Sequence, residues 1–402
     1  MGGLIPPDAT LINGHPGLPR AYLDHAATTP MLPEAVEAML PFLSRTFGNP
    51  SGVHAESRTA RTAIDDARQQ VADLIGADLG EVVFTGSGTE ADNLAVAGIL
   101  GARAAAGHPT GPLVCTAMEH HAVLNACRAA ALRSGTELRE VPTGSDGLVD
   151  LDALDDALTT DVALVSVMAV NNEVGTVQPI EAVARLVRRR SPNAILHTDA
   201  VQAAPWLDLA PLVALADLVV LSAHKFGGPK GVGVLVVGDG VPIEAVTRGG
   251  GQERERRSGT HNVAGIVATA AALQVTVDRR TETNAGVAAL RGRLVDGLLA
   301  TVPGSSETGD RRSKVAGNAH LTVDGVDSEE LVILLDEAGV AASAGAACSS
   351  GALEPSHVLA AMGYDRRRAR SGLRLSLGTI TTEEEIDLAL AVVPELVAGL
   401  RN

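Results

Sequence analysis

The chain has 402 residues, with 32 Lys and Arg against 48 Asp and Glu, a formal charge of −16, and 46% apolar residues carried mainly by Ala, Val and Leu. One Trp, two Tyr and four Phe leave few rings on which bases would stack, and the acidic balance disfavours a polyanionic partner, so nucleic-acid binding is not expected. No apolar run approaches the ~20 residues of a membrane span, the first residues lack the pattern of a secretory signal, and three scattered cysteines fit a reducing compartment, which together predict a soluble cytoplasmic protein.

In chain order, residues 1–20 read as a loose Pro- and Gly-containing arm. Residues 56–75 carry a helical period, 81–86 (EVVFTG) is a short apolar run ending in Gly, and 89–101 is again helical. A strand at 113–118 and a helix at 120–133 follow, then an apolar strand at 162–170, a basic helix ending in Arg188, Arg189 and Arg190, and strands at 194–201, 217–223 and 231–238. Near-continuous β-branched runs separated by helices predict a buried, mostly parallel sheet. From residue 264 the pattern changes to one long helix, a strand at 318–325, a helix at 328–338, an extended run at 340–345, a helix near 356–362, a strand at 372–377 and a last helix from Thr382. The expected organisation is α/β: an arm (1–20), a large domain with a mostly parallel sheet (21–263) whose first residues pack with the second domain, and a smaller α+β domain (264–402).

Four motifs lie in positions where chemistry is expected. Gly86-Ser-Gly-Thr-Glu-Ala91 is a glycine-rich turn between a strand and a helix, suited to cradle a phosphate on its free backbone N–H groups and the helix N-terminus, with the Ser87 and Thr89 hydroxyls helping. It also fits a GxGxxA dinucleotide turn, with Glu119 as ribose ligand, or a plain capped turn. Asp199, in HTDAVQ at a strand end, is placed either to meet a ring nitrogen, with Gln202 reaching a neighbouring ring oxygen, or to cap the next helix. Lys225, in the exit turn SAHKFGGPKG, is a Schiff-base candidate, because desolvation there lowers the cost of losing its proton. Cys348 sits in a run of small residues (SAGAACSSGALEP), which suits a reactive thiol, whereas Cys115 and Cys127 sit among apolar neighbours and read as inert. An anion cradle, a strand-end carboxylate and an amine, met in that order, are the three things pyridoxal 5′-phosphate requires.

These residues, with YLDHAATTP (22–30), FGNPS (47–51), MEHHAVL (118–124), NNEVGTVQPI (171–180), GGGQERERRSGT (249–260), LEPSHVL (353–359) and LRLSLG (373–378), make the chain resemble the pyridoxal-phosphate-dependent cysteine desulfurases of the NifS-like branch, in the class V aminotransferase family. The resemblance covers nearly the whole chain from Ala21. It implies the aspartate-aminotransferase type (fold type I) and a homodimer. Lys225 would hold the cofactor aldehyde and act as base, Asp199 would hold the ring nitrogen, Gln202 the phenolic oxygen, and Gly88, Thr89, Ser222, His224 and the partner's Thr260 the phosphate. His120 would stack on the ring and assist proton transfer, Asn172 and Arg374 would hold the substrate carboxylate, and Cys348 would take sulfur from L-cysteine as a persulfide and release alanine.

The sulfur acceptor implied is an iron–sulfur scaffold or another thiolation partner. No intrinsic metal site is expected, with Cys348 at most a transient cluster ligand. Selenocysteine lyase, or another lyase or aminotransferase on this fold, is the neighbouring alternative, and a dinucleotide-binding protein the remote one. Ala223 stands where Gly is commoner in the family, and the N-terminal arm and a missing C-terminal extension are further departures.

Overall fold

The structure, a computed structural model, describes residues 20–345 and 355–402. Cys348 therefore lies outside the described residues.

Seven strands form the larger sheet, in the order Val82–Thr85, Gly233–Val237, Leu218–Ser222, Ile195–Asp199, Leu164–Ser166, Leu113–Thr116 and Leu138–Val141. Only Gly233–Val237 runs antiparallel to its neighbours. Six of these strands are buried on both faces, and the strand period of two divides their side chains between two cores. Val82, Val114, Val165, Leu196, Val219 and Val234 face the helices Ala55–Ile75 and Ile180–Arg190 and the start of Val263–Thr301. Their chain neighbours Val83, Cys115, Leu164, Ile195, Val220 and Leu235 face the helices Gly88–Ala105 and His121–Ser134. A one-residue slip would exchange the two sets.

Local signals fix the helix ends. Ser87 caps Gly88–Ala105, its hydroxyl accepting the Glu90 N–H at 3.0 Å. Ala55–Ile75 stops at Gly76, whose φ of 70° is open to glycine without strain.

A second, antiparallel sheet has the order Ser343–Ala344, Gly372–Ser376, Asn318–Val323 and Ser305–Glu307. The helices Ser328–Glu337 and Glu383–Leu400 cover it. Ala21–Tyr22 pairs in parallel with Val340–Ala341, which ties the first described residues to this second unit. The 39-residue helix Val263–Thr301 joins the units. Its residues Ile266–Leu273 pack in the first core and Val287–Leu298 in the second, so the expected boundary after residue 263 marks where this helix starts, while its early turns still serve the large sheet.

Among the elements with no counterpart in the sequence reading are Pro33–Ser44, Leu138–Val141, Leu151–Ala157, Ala210–Leu215 and the short segments Ala21–Tyr22, Ser305–Glu307 and Arg366–Ala369. The apolar run 162–170 is strand only over Leu164–Ser166, and its remainder is buried connecting chain. Among the described residues no helix is long and apolar enough to cross a membrane.

Candidate active site

Ligands on an open α/β sheet bind beyond the carboxyl ends of its strands, and five strands deliver side chains to that edge here. Thr85 leads to Ser87–Thr89, Thr116 to Glu119 and His120, Ser166 to Asn172 and Glu173, Asp199 to Gln202, and Ser222 to His224 and Lys225. They converge on a cavity of about 270 Å³, closed on the far side by Ala26, Ala27, Gly345, His357 and Arg374 from the second unit and its flanks.

The amine is held by backbone. Lys225 Nζ donates to the carbonyls of Ala26 and Ala27, both at 2.8 Å. Lys225 ends a short turn, Ala223–Lys225, and Ala223 adopts it without a positive φ. Asp199 is buried, and its Oδ1 accepts the Val201 N–H at 2.9 Å. Burial pushes its carboxyl up to about 6, while the Val201 amide and the Lys225 ammonium draw it back. Gln202 donates to the Ala26 carbonyl at 2.8 Å.

His120 caps the helix His121–Ser134, with Nδ1 accepting the Ala122 N–H at 3.1 Å, so its proton is assigned to Nε2. Burial, then the nearby Lys225, lowers its pKa to about 4. His120 is thus neutral at pH 7, and a neutral ring stacks on an electron-poor aromatic and relays protons. His224, also lowered to about 4 by burial and then by Lys225 and Lys230, lies 3.1 Å from the Thr28 hydroxyl. On the second unit, Arg374 donates from Nη2 to Asp24 at 2.8 Å and from Nη1 to the Asn172 carbonyl at 3.0 Å.

The residues present fit pyridoxal phosphate. A Cβ added at Gly88 would lie 3.1 Å from Val201 Cγ2 and 3.2 Å from Ser222 Cβ, filling the space where the helix N-terminus meets the Ser222 hydroxyl. That space is an anion site by its donors: free N–H groups at the helix start with Thr89, Ser222 and His224 beside them. A carboxylate and an amine border the same cavity. Asn172 and Arg374 line it as well. Thr260 does not line it and is exposed.

The dinucleotide alternative fails on Glu119. Its side chain is fully buried, its Oε1 accepts from Thr116 Oγ1 at 2.6 Å and from the Met168 N–H at 2.8 Å, and burial pushes its pKa up to about 8. A carboxyl held inside the fold cannot grip a ribose. Cys115 and Cys127 are free and buried, as expected of inert thiols.

Several contributors carried no assigned role in the sequence reading. Asp24 clamps Arg374, and the Ala26 and Ala27 carbonyls seat Lys225. The motif YLDHAATTP finds its partners some 200 to 350 residues away in the chain. Asp92 is buried and lines the same cavity as Asp199, its Oδ1 3.4 Å from His197 Nε2. Burial first, then Asp199 and Glu119, raise the Asp92 pKa well above the usual carboxylate range, and burial lowers that of His197 to about 4.

An amine, a buried carboxylate and a helix-capped anion cradle at the carboxyl edge of a mostly parallel sheet define a pyridoxal-phosphate enzyme of fold type I. The sequence profile of the Aminotransferase class-V family matches residues 21–389. The chain is 46% identical to the IscS-like cysteine desulfurase of Mycobacterium tuberculosis, covering 95% of this chain and 97% of that protein. It is 41% identical to the cysteine desulfurase IscS of Methanosarcina thermophila, covering 95% and 93%. Among solved structures, a NifS-like protein superposes with a TM-score of 0.88 at 34% identity, covering 95% of this chain and 100% of that one. The chain belongs to the class-V aminotransferases and, within them, to the NifS-like cysteine desulfurases.

Proposed function

We propose that this cysteine desulfurase passes the sulfur of L-cysteine to Cys348 and releases L-alanine. The observation that carries the reading is the convergence of Lys225, Asp199, His120 and Arg374 on one cavity whose wall includes Gly345, three residues before Cys348. Pyridoxal phosphate, when bound, supplies an electron sink for the bonds at the substrate Cα.

The chain's own residues do the rest. Gly88, Thr89, Ser222 and His224 bind the phosphate, and Gln202 the phenolic oxygen. Asp199, buried beside the cavity with its carboxyl raised to about 6, would hold the proton on the ring nitrogen. Arg374 and Asn172 orient the substrate carboxylate, with Asp24 fixing the guanidinium plane. The Lys225 amine moves the Cα proton, and neutral His120 stacks on the ring and relays protons. The Cys348 thiolate then bonds to the substrate sulfur as the C–S bond breaks, and that electron pair stays on carbon, which is protonated. One thiol and one C–S bond become one S–S bond and one C–H bond.

We further propose a homodimer in which Thr260 reaches the partner's phosphate site. Its exposure and its absence from the lining of its own cavity support this. So do Leu43, Phe47 and Val53, large apolar side chains that are more than half exposed in one short stretch. The physiological sulfur acceptor we place among iron–sulfur scaffold or thiolation proteins, in the cytoplasm. Visible absorption before and after L-cysteine tests the reading together with alanine release. Lys225→Ala is expected to lose the cofactor's Schiff-base band and turnover, and Cys348→Ala to keep the band and lose persulfide. Full persulfide formation in Cys348→Ala would refute the assignment.

A further inference from the structure

We propose that Glu173 is a positioning residue that ties both flanks of the Cys348-bearing segment to the substrate-carboxylate cradle, an inference that rests on the reading above. Glu173 directly follows Asn172 and lines the same cavity. Its Oε2 accepts the Ser356 hydroxyl at 2.5 Å. That hydroxyl in turn accepts the Leu359 N–H at 3.1 Å and so caps the helix His357–Ala361. On the other flank, a Cβ at Gly345 would lie 2.9 Å from Glu173 Oε2, 3.4 Å from His320 Nε2 and 3.5 Å from Ser356 Cβ. One carboxylate thus sits between residues 345 and 356.

The other side of the tie is the substrate cradle. Arg374 holds the Asn172 carbonyl at 3.0 Å, and Asn318 Nδ2 donates to the Glu173 carbonyl at 3.0 Å. A shift of Asn172 around a bound carboxylate is therefore felt by the next residue, whose side chain touches both flanks. The charged and titratable groups facing Glu173 are Arg374 and His320, and burial holds His320 neutral. Burial pushes Glu173 up to about 7, with Ser356 and Arg374 drawing it back. A buried carboxyl is an expensive way to hold one serine. Placed between the substrate cradle and the two flanks, it fixes residues 345 and 356 relative to Asn172 and Arg374.

The test uses full-length, cofactor-loaded protein with Glu173→Ala, Glu173→Gln and Ser356→Ala. Cysteine binding is read from the visible spectral change, and sulfur arrival at Cys348 by rapid quench and mass spectrometry of the alkylated peptide. Losing a hydrogen bond to a charged group predicts that sulfur arrival slows by roughly ten- to a hundredfold in Glu173→Ala and Ser356→Ala. The cysteine concentration giving half of the spectral change is expected to stay within about threefold, since Asn172 and Arg374 are untouched. Glu173→Gln keeps an acceptor for Ser356 and should recover most of the rate. Unchanged sulfur arrival in both Ala variants, or loss of cysteine binding in step with it, would overturn the inference. If Glu173→Ala does not fold, Ser356→Ala alone decides. Wild-type sulfur transfer in Cys348→Ala would instead refute the parent reading, whatever the Glu173 variants do.

Discussion

Glu253 offers the most quantitative check on the structure, because its energetics follow from contacts that are all in view. It is buried in the segment 249–260, where Arg68 donates to its two oxygens at 2.7 Å each, His261 Nε2 lies at 2.7 Å and the Phe84 N–H donates at 2.9 Å. Burial alone would raise its pKa; the His261, Arg68 and Phe84 contacts outweigh it and bring it from 4.5 down to about 2. At roughly 1.4 kcal/mol for each tenfold change in proton affinity, that depression corresponds to about 3 kcal/mol. A carboxyl whose folded pKa lies below its unfolded one contributes this stability above about pH 4.5 and loses it as pH falls towards about 2.

Part of that energy offsets strain. Glu253, Arg254 and Glu255 have φ of 48°, 55° and 64°, a left-handed conformation that costs roughly 1–2 kcal/mol for each residue bearing a Cβ. Glu253→Gln keeps size and leaves the Arg68 guanidinium, 8% exposed, without its counter-charge. Breaking a buried pair this way costs about 3–5 kcal/mol, which agrees with the linkage figure. Urea unfolding at pH 7, with matched protein and cofactor concentrations, should show the Gln variant about 3 kcal/mol less stable with an unchanged m-value. Between pH 5 and pH 3 the wild type should lose stability faster than the variant. A difference below about 1 kcal/mol at pH 7 would refute the reasoning, since neither the pair nor the linkage argument allows it.

Other outcomes follow from the same geometry. Co-expressing Lys225→Ala with Thr260→Ala chains should restore about one working site per mixed dimer if Thr260 serves its partner, and activity absent from the mixture would show that Thr260 acts in its own subunit. Gly88→Ala should weaken cofactor retention, because the new Cβ presses on Val201 and Ser222; equilibrium dialysis against pyridoxal phosphate measures it. In cofactor-free protein the raised Asp199 pKa makes its folded-state contribution greatest at low pH and lost as pH rises through about 6. Because that loss runs from the unfolded value of 3.8 to about 6, Asp199→Asn should raise Tm clearly at pH 8 and little below pH 4, while lowering turnover of the loaded enzyme. Ser87→Ala removes the cap of Gly88–Ala105 and should cost about 1 kcal/mol in denaturant unfolding.

The parts of the fold legible in the sequence are those in which local chemistry and tertiary role coincide. Apolar strands ending in Ser-Ala-His-Lys or His-Thr-Asp announce a buried parallel sheet and the side chains at its edge together. The helix Pro33–Ser44 is hard to read from sequence because Pro41 lies inside it, although Pro33 sits at its start, where proline is tolerated. Leu138–Val141, with the sequence LREV, is a partly exposed edge strand and lacks the apolar run of its neighbours. Residues 162–170 exceed their strand because buried connecting chain is as apolar as strand. Asp24 and Glu173 at the site, and Glu253 outside its lining, act on partners 350, 183 and 185 residues distant in the chain. Such pairings are set by the packing of one unit against another, and no local pattern encodes them.

The central claim is that sulfur leaves L-cysteine for one particular thiol. The direct measurement is the mass of the peptide bearing Cys348 after a single turnover with L-cysteine, alkylated without reductant. The account predicts one added sulfur on Cys348, matched by one alanine released, with Cys115 and Cys127 unmodified. Added sulfur on another cysteine, or alanine released with Cys348 unchanged, would contradict it.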